Sequence, residues 1–303
     1  MEQRTRVEAI IDLSARRVLE RLPAYGPSGS FVEFLVFGLK QGWACLFGGL
    51  LLGLILLTRL YWPEYLPLMR YDFLFLSALI IQVGMLVLRL EQFSEAKLIL
   101  IFHAVGTLME IFKTHAGSWS YPEQNFFRIG GVPLFSGFMY AAVGSYMARI
   151  HRIFDIRLEK YPSIGSTLLL AMAIYINFFT HHFLLDIRIL LFAATILLFG
   201  RCTMHYRVFR FRHKMPLLLA FTLVALFIWI AENIGTWSKA WIYPNQASGW
   251  TLVSLNKFGA WYLLMIISVV LVTLVHRPRG LDAKDSLVSR EDVTRHARKT
   301  STG

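Results

Sequence analysis

The sequence predicts an all-α fold, a polytopic membrane bundle of about eight transmembrane helices in a four-plus-four parallel duplication. Of its 303 residues, 56% are hydrophobic and the mean hydropathy is +0.52, which is more apolar surface than a soluble domain needs. Eight apolar segments follow one another, and Lys and Arg fall mainly between alternate segments. A motif from the first half recurs 122 residues later. These observations predict two similar four-helix halves.

Residues 1–30 are predicted to form a cytoplasmic amphipathic segment. Helical spacing within 7–22 places four apolar side chains on one face: Ile11, Ala15, Val18 and Leu22. The charged residues lie mostly off this face, which is typical of a helix lying in the membrane interface. Pro and Gly at 23–29 then end the helix.

Residues 31–276 are predicted to form the membrane domain. Its eight apolar segments span 31–58, 72–90, 97–113, 132–153, 165–184, 186–201, 216–236 and 251–276. A helix rises about 1.5 Å per residue, so each segment is long enough, or nearly so, to cross the hydrocarbon core.

The distribution of basic residues predicts the orientation. With both termini in the cytoplasm, the inner segments carry 23 Lys and Arg and the outer loops carry six. This asymmetry predicts eight spans with both termini in the cytoplasm and the lipid bilayer as the partner. The net charge of +12 is thus an orientation signal, and no nucleic-acid partner is expected. The polar tail, 277–303, is predicted to be disordered and cytoplasmic.

The repeated motif runs from Glu110 to Pro122 and again from Glu232 to Pro244. In both copies Trp follows Glu at plus nine, at positions 119 and 241, and Tyr follows at plus eleven, at positions 121 and 243. The same offset carries Gly137 onto Gly259 and Tyr140 onto Tyr262. We therefore predict an internal duplication with repeats at about 31–154 and 165–276. Working sites of membrane proteins often lie where such repeats meet.

Ionisable groups inside apolar helices predict where the site lies, because burying them in a membrane is unfavourable. His103 and Glu110 share a helical face, and so do Asn177 and His181. Glu232 and Lys257 lie on the last two segments and are predicted to form a structural ion pair. The offset maps Lys257 onto Phe135, so the repeat encodes no cation for Glu110. Most of these groups lie in the predicted outer half of the bundle.

Simpler interpretations remain open for each group. Trp and Tyr at segment ends commonly anchor helices at the membrane interface. His103 could be a core histidine that bonds to a carbonyl group. Glu33 and Lys40 on the first segment are expected to form a structural pair near the inner face. Recurrence of the acid with Trp and Tyr at fixed offsets favours a site over these interpretations.

Most of the membrane domain, about 31–276, resembles the YoaT-like family of bacterial integral membrane proteins of unknown function. The resemblance rests on the strings Phe37-Gly-Leu-Lys-Gln-Gly-Trp43, Arg70-Tyr-Asp-Phe-Leu-Phe75, Phe112-Lys-Thr-His-Ala-Gly-Ser-Trp-Ser-Tyr-Pro-Glu123, Gly131-Val-Pro-Leu-Phe-Ser-Gly-Phe-Met-Tyr140 and Lys257-Phe-Gly-Ala-Trp-Tyr-Leu-Leu-Met265. It implies a membrane location and no particular reaction.

A shorter motif is similar to the repeat of membrane lycopene cyclases and the related carotenoid hydratases. It comprises Glu110, then Gly117-x-Trp119-x-Tyr121, then Gly131-Val-Pro-Leu134. The cyclases usually continue with paired glutamates, whereas Phe135 and Ser136 stand here. The resemblance implies an intramembrane cavity for a long isoprenoid rather than cyclase activity.

Three functions are compatible with these patterns. The first is cofactor-independent modification, or binding, of an isoprenoid or carotenoid-type lipid, with Glu110 as the acid and His103 as its partner. Its expected ligand-contacting residues are Trp119, Tyr121, Trp241, Tyr243, Asn177 and His181. The second is a small proton-coupled transporter whose pathway is lined by Glu110, Glu232 and Lys257.

The third function is a metal-dependent intramembrane hydrolase using His103, His115, His181 and His182. Adjacent histidines are poorly spaced for one metal and no His-x3-His occurs, so no metal or other cofactor is expected. Enzyme, transporter and binder stay open at this point, as does the oligomeric state.

Overall fold

The computed structural model describes residues 5–21, 27–63, 65–275, 278 and 280. These ranges contain ten α-helices and two small antiparallel sheets. The predicted disordered tail lies, apart from 278 and 280, outside the described residues. Residues 1–4 and 22–26 of the N-terminal segment also lie outside them.

The helices cover every apolar segment that the sequence predicts. They are α1 (Arg6–Leu19), α2 (Pro27–Ala44), α3 (Leu46–Tyr61), α4 (Arg70–Val87), α5 (Phe93–His115), α6 (Phe135–Phe154), α7 (Ile164–Thr180), α8 (Arg188–Phe199), α9 (Leu217–Trp237) and α10 (Leu255–Val275). A 3-10 turn covers Pro244–Gln246. The first predicted segment is divided between α2 and α3, which meet at a bend of 69°.

Three helices in the described ranges are long and apolar enough to cross a membrane, namely α4, α9 and α10. A fourth crossing is added if the bent α2–α3 pair forms one span. The apolar helices α7 and α8 have 17 and 12 residues. A 12-residue helix is about 18 Å long, which is less than the hydrocarbon core of about 30 Å. The protein is therefore mainly helical with three or four candidate spans, and eight spans stay a prediction.

The all-α prediction missed two small sheets. Strands β1 (Arg128–Ile129) and β2 (Val132–Pro133) form a hairpin within the loop before α6. Strands β3 (Arg157–Glu159), β4 (Thr203–Arg207) and β5 (Arg212–Pro216) form a second antiparallel sheet in the order β3-β4-β5. The strands of the second sheet are short and rich in basic residues, so the sequence predicted them as charged loops. Their pairing depends on residues that are distant in sequence, which a local pattern does not reveal.

The N-terminal helix α1 packs against the bundle through one face. Ile11 and Ala15 are buried, as the spacing predicts, but Val18 is exposed and Leu19 is buried in its place. Thr5 and Glu8 form a capping box at the start of α1. This face includes an acid, because the buried Glu8 carboxylate accepts hydrogen bonds from the Arg152 guanidinium of α6.

The predicted Glu33–Lys40 pair is not a direct contact in the described part of the chain. Instead, Glu33 accepts the backbone N–H of Arg210 at 3.0 Å, and the Lys40 ammonium donates to the carbonyl of Val208 at 2.5 Å. Lys40 also pairs with Asp12 of α1 at 2.8 Å. Both α2 side chains thus hold the turn between β4 and β5 against the bundle.

A buried charge network joins α6 to the start of α5. Arg149 is fully buried and donates to Glu91 at 3.0 Å and to the carbonyl of Trp43 at 2.9 Å. One turn along, Arg152 binds both Glu8 and Glu95. Removing one member of such a network leaves an uncompensated buried charge, so we infer that it fixes how these helices pack.

Candidate functional site

The ends of α5 and α9 have the same backbone geometry, and each leads into one copy of the repeated motif. After α5, the N–H of Ser118 donates to the carbonyl five residues earlier at 2.9 Å, with Gly117 at φ 69°. After α9, the N–H of Ala240 donates to the carbonyl five residues earlier at 3.0 Å, with Lys239 at φ 54°. A left-handed residue in this position closes the last turn of a helix. The backbone therefore turns in the same way after α5 and after α9 as it enters each aromatic loop.

The two aromatic loops meet at positions that are 122 residues apart. Ser120 and Ile242 form an isolated antiparallel bridge in which each backbone N–H donates to the other residue's carbonyl at 2.9 Å. On either side of this bridge, the rings of Trp119 and Tyr243 pack edge to face with centroids 6.2 Å apart. The bridge brings both copies of the motif into one cluster.

Glu110 is held by three hydrogen-bond donors. It lies in α5 and is 3% exposed. Its Oε2 accepts hydrogen bonds from Trp119 Nε1 and the Tyr121 hydroxyl, both at 2.7 Å. Its Oε1 accepts one from the Tyr140 hydroxyl of α6, also at 2.7 Å. Of these three donors, Tyr140 also lines an apolar cleft between the helices.

Glu232 of α9 is held by two donors. It is 4% exposed, and its Oε1 accepts a hydrogen bond from the Tyr243 hydroxyl of its own motif copy. Its Oε2 accepts one from Trp261 Nε1 of α10 at 2.5 Å. The indole partner of this acid thus comes from a different element than the indole partner of Glu110.

Lys257 lies between the two acids without a direct ion pair. Its ammonium is 4.3 Å from the centroid of the Tyr243 ring and 5.2 Å from that of the Trp119 ring. Glu232 is not among its ion-pair partners within 4.0 Å in the described ranges, because the Glu232 oxygens bind Tyr243 and Trp261. The predicted Glu232–Lys257 contact is therefore replaced by cation–π contacts. Each ring under the ammonium donates to a different acid, so both copies of the motif share one cation.

Trp241 has a different environment from Trp119. A Cβ atom at Gly235 would lie 2.1 Å from Trp241 Cη2, so the indole packs directly on the α9 backbone. The equivalent position of α5 is Lys113, whose ammonium instead contacts His182 and the Phe178 ring. The glycine permits close packing of an indole in the second copy, and the first copy has a long side chain at this position.

His103, the predicted partner of Glu110, packs against α6. Its ring lies edge to face with Phe138 at 4.8 Å, and a Cβ at Gly137 would be 2.5 Å from its Cε1. It is not one of the three side chains that bond to Glu110. Both residues face α6 from α5, His103 at Gly137 and Glu110 at Tyr140.

Asn177 and His181 hold the turn between α7 and α8. Asn177 donates to Asp186 at 3.1 Å and accepts the N–H of Ile187 at 3.1 Å. His181 Nδ1 lies 3.0 Å from the carbonyl of Asn177. Burial acts to raise the pKa of Asp186, but hydrogen bonds from Asn177 and the Arg188 N–H outweigh it and lower that pKa. The bonds of these predicted ligand-contacting residues are thus local to the turn.

A narrow apolar cleft lies between α5, α6, α7, α9 and α10. Phe102, Gly106 and Met109 form its α5 wall, and Leu264 and Ser268 belong to its α10 wall. At one place its lining includes the rings of Tyr140 and Trp261, whose centroids are 6.4 Å apart. These two side chains also bond to Glu110 and Glu232, so they connect the cleft to both acids.

The cleft separates the predicted site residues by role. Trp119, Tyr121 and Tyr243 bind the acids or Lys257 and are not in the lining described for the cleft, nor is Trp241. The sequence pointed to Tyr140 only as a match of the repeat, and it did not predict Trp261 as a site residue. Tyr140 is 30 residues from Glu110 and Trp261 is 29 residues from Glu232, so no helical periodicity links each pair. The match of Tyr140 with Tyr262 did point to these turns of α6 and α10.

No group of three or more His, Cys, Asp or Glu side chains within the described ranges is arranged to hold a metal ion. His103, His115, His181 and His182 lie in different surroundings, and only the last two rings are close, at 4.2 Å. The four histidines are therefore not brought together as one group in this part of the chain.

Comparison with known proteins identifies the family. A family model described as a protein of unknown function, DUF817, matches residues 33–269. The chain belongs to the DUF817 family. It is 45% identical over 240 residues to an uncharacterised protein of Bacillus subtilis strain 168, YoaT, covering 79% of this chain and 90% of that protein. The predicted resemblance to YoaT-like proteins is thereby confirmed.

A solved structure of a cross-linked MvINS trimer gives a partial structural match. It is 12% identical, with a TM-score of 0.45, and the match covers 61% of this chain and 96% of that one.

Proposed function

We propose that this DUF817 protein binds an isoprenoid-type lipid in the apolar cleft and exchanges protons with it through Glu110 and Tyr140. The observation that carries the proposal is the double role of Tyr140, whose ring lines the cleft and whose hydroxyl bonds to Glu110 at 2.7 Å. The motif that resembles the membrane lycopene cyclases also begins at Glu110.

The cleft has a lining whose chemistry matches an apolar chain. It is narrow, it is bounded by five helices, and most of its lining is aliphatic or aromatic. Few polar side chains are in the lining, and two of them, Tyr140 and Trp261, are neighbours with ring centroids 6.4 Å apart. A mostly apolar cleft with a few convergent polar groups is the usual form of a small-molecule site.

Glu110 can transfer a proton to the cleft only through Tyr140. When Glu110 is ionised, Tyr140 donates its hydroxyl hydrogen to the carboxylate. When Glu110 is protonated, it donates to the Tyr140 oxygen, and the phenolic hydrogen can then be given to a double bond in the cleft. The resulting carbocation would lie beside the Tyr140 and Trp261 rings, whose π faces stabilise positive charge. Loss of a neighbouring proton to the tyrosine oxygen restores Glu110 and leaves a shifted double bond, so no cofactor is consumed.

We propose further that the protein lies in the bacterial inner membrane with both termini in the cytoplasm and the aromatic loops outside. The distribution of Lys and Arg supports this orientation. The internal duplication is proposed with it. It is supported by the equal closure of α5 and α9 and by the bridge between Ser120 and Ile242, which are 122 residues apart.

Matched tryptophan substitutions on α9 test the cleft. Ile228→Trp places a bulky ring in the cleft, whereas Leu226→Trp changes a residue of the same helix that is exposed. Protein purified in nanodiscs containing geranylgeraniol should retain this alcohol, as measured by mass spectrometry, in the wild type and Leu226→Trp but lose most of it in Ile228→Trp. Equal retention by all three proteins would refute binding in the cleft.

A second function, proton-coupled transport, is favoured by one observation. Lys257 lies between two buried acids where the two aromatic loops cross, an arrangement that could alternate between partners. In proteoliposomes containing a pH dye, a transporter would show solute-dependent proton flux that Lys257→Met abolishes. Deuterium incorporation into geranylgeraniol without such a flux would favour the lipid enzyme instead.

A further inference from the structure

Lys113 is a buried lysine, and no carboxylate is among its contacts in the described part of the chain. Lys113 is 2% exposed, and its ammonium lies 3.0 Å from His182 Nε2 and 4.1 Å from the centroid of the Phe178 ring. Within the described ranges, no Asp or Glu oxygen lies within 4.0 Å of it. Asp186, the carboxylate of the neighbouring turn, bonds to Arg188 at 3.3 Å and to Asn177.

The two contacts of Lys113 do not compensate its charge. Burial and the Lys113 ammonium lower the pKa of His182, which favours a neutral imidazole that accepts a hydrogen bond from lysine. The Phe178 ring provides only a quadrupole. Buried charges are normally paired, so Lys113 is suited to an anion that the chain itself does not supply.

Lys113 continues the line of α5 residues that form one wall of the apolar cleft. Phe102, Gly106 and Met109 form the α5 wall, and Lys113 follows Met109 on the same face after four residues, or about 6 Å. On α7, Tyr175 lines the cleft and Phe178 follows it by three residues toward the helix end. The apolar walls contributed by both helices thus lead to the ammonium.

We propose that the ligand of the cleft is an amphiphile, with an apolar chain against α5 and α10 and an anionic head group of the phosphate type bound by Lys113. Ser118 is placed to assist, since its hydroxyl lies 3.3 Å from the same His182 nitrogen. Phosphate provides several strong acceptor oxygens for an ammonium and a hydroxyl donor. This inference rests on the proposed lipid function and specifies the class of its ligand.

The same site could take its anion from a lipid or from a free ion, and three probes distinguish these sources. The protein in nanodiscs of neutral lipid is titrated with geranylgeranyl monophosphate, with geranylgeraniol, or with inorganic phosphate, and the shift in Tm is measured at constant ionic strength. We expect a larger shift with the lipid phosphate than with the alcohol, and little with phosphate alone. An equal shift with the monophosphate and the alcohol overturns the anionic head group but leaves the apolar cleft intact. A full shift with inorganic phosphate alone overturns the lipid assignment.

Variants assign the effect to Lys113. Lys113→Met should reduce the shift caused by the monophosphate to that of the alcohol, whereas Lys113→Arg should keep most of the difference. Lys239→Met, which removes an exposed lysine from the loop after α9, should behave as the wild type. If Lys113→Met does not fold, the preference of the wild type for the monophosphate over the alcohol still decides the matter. A preference that persists in Lys113→Met would overturn the assignment.

Discussion

Glu110 and Glu232 occupy equivalent positions of the repeated motif, yet their surroundings differ. Glu110 accepts hydrogen bonds from three side chains, two from its own motif copy and one from α6. Glu232 accepts two, one from its motif copy and one from Trp261 of α10. The backbone geometry around both is nearly the same, so side chains alone account for the difference.

One position explains much of this divergence. Position 235 is glycine, and Trp241 packs onto it instead of bonding to Glu232. The equivalent position 113 is lysine, and Trp119 bonds to Glu110. The comparison teaches that similar loops can support different sites. The helix end before the first loop carries Lys113, and the helix end before the second is covered by the Trp241 indole.

The largest expected effect distinguishes the two acids in proton transfer. Glu110→Gln keeps acceptors for Trp119 and Tyr121 and offers Tyr140 an N–H, but it cannot titrate. We expect deuterium incorporation from D2O into geranylgeraniol in nanodiscs to fall by roughly 100-fold or more, the usual size of a lost acid–base group. Tyr140→Phe should cause a comparable loss, and Glu232→Gln a small one. Equal losses from the two glutamine variants would assign the same role to both acids.

Alanine substitutions compare the acids in stability. Glu110→Ala leaves three donors without their acceptor, two of them on buried residues, whereas Glu232→Ala leaves two donors, one of them on a buried residue. Each unsatisfied buried group costs about 1–3 kcal/mol, so both variants should be several kcal/mol less stable, and Glu110→Ala should be the less stable of the two. Thermal unfolding in a mild detergent, followed by tryptophan fluorescence, measures the order. The reverse order would mean that Lys257 depends mainly on Glu232.

Sequence reasoning was accurate where local patterns determine structure. The apolar segments predicted the helices, and the 122-residue offset identified two turns that close in the same way, at Gly117 and Lys239. It was less accurate where partners are distant in sequence. Trp261 of α10 donates to Glu232 of α9, and Lys257 lies over one ring from each motif copy. Neither contact has a periodic signal, because each depends on how whole helices pack.

The glycine at position 235 provides a smaller test of the comparison. A Cβ there would lie 2.1 Å from Trp241, so Gly235→Ala forces the indole to move. Overpacking of this kind costs about 1–3 kcal/mol in the free energy of unfolding. Gly84→Ala in α4 is the matched control, since a Cβ at Gly84 meets nothing within 4 Å and alanine favours a helix. The second change Trp241→Leu should recover part of the loss in Gly235→Ala, and no recovery would indicate that the indole is not the obstacle.

The C-terminal ends of α6 and α10 offer the smallest expected difference. Arg152 of α6 binds Glu8, and the equivalent residue of α10 is Leu274, which is exposed. Burial acts to raise the pKa of Glu8, but the Arg152 guanidinium outweighs it and lowers that pKa below its ordinary value of 4.5. A carboxyl with a lowered pKa in the folded protein stabilises it above the unfolded value and loses this contribution as the pH falls through the folded pKa.

The Tm of the wild type should therefore fall on acidification below about pH 4.5, as the Glu8 carboxylate is protonated beside Arg152. Glu8→Gln should have a lower Tm at neutral pH and a shallower decline in acid, because it lacks the group that titrates. Glu20→Gln changes an exposed acid at the end of the same helix and serves as the control, with the pH profile of the wild type. The effect should be smaller than those above, since Arg152 keeps its bond to Glu95 and α1 keeps its apolar contacts when the Glu8 pair is lost. Parallel profiles for Glu8→Gln and the wild type would show that other carboxylates determine acid stability and that the C-terminal end of α6 does not depend on this pair.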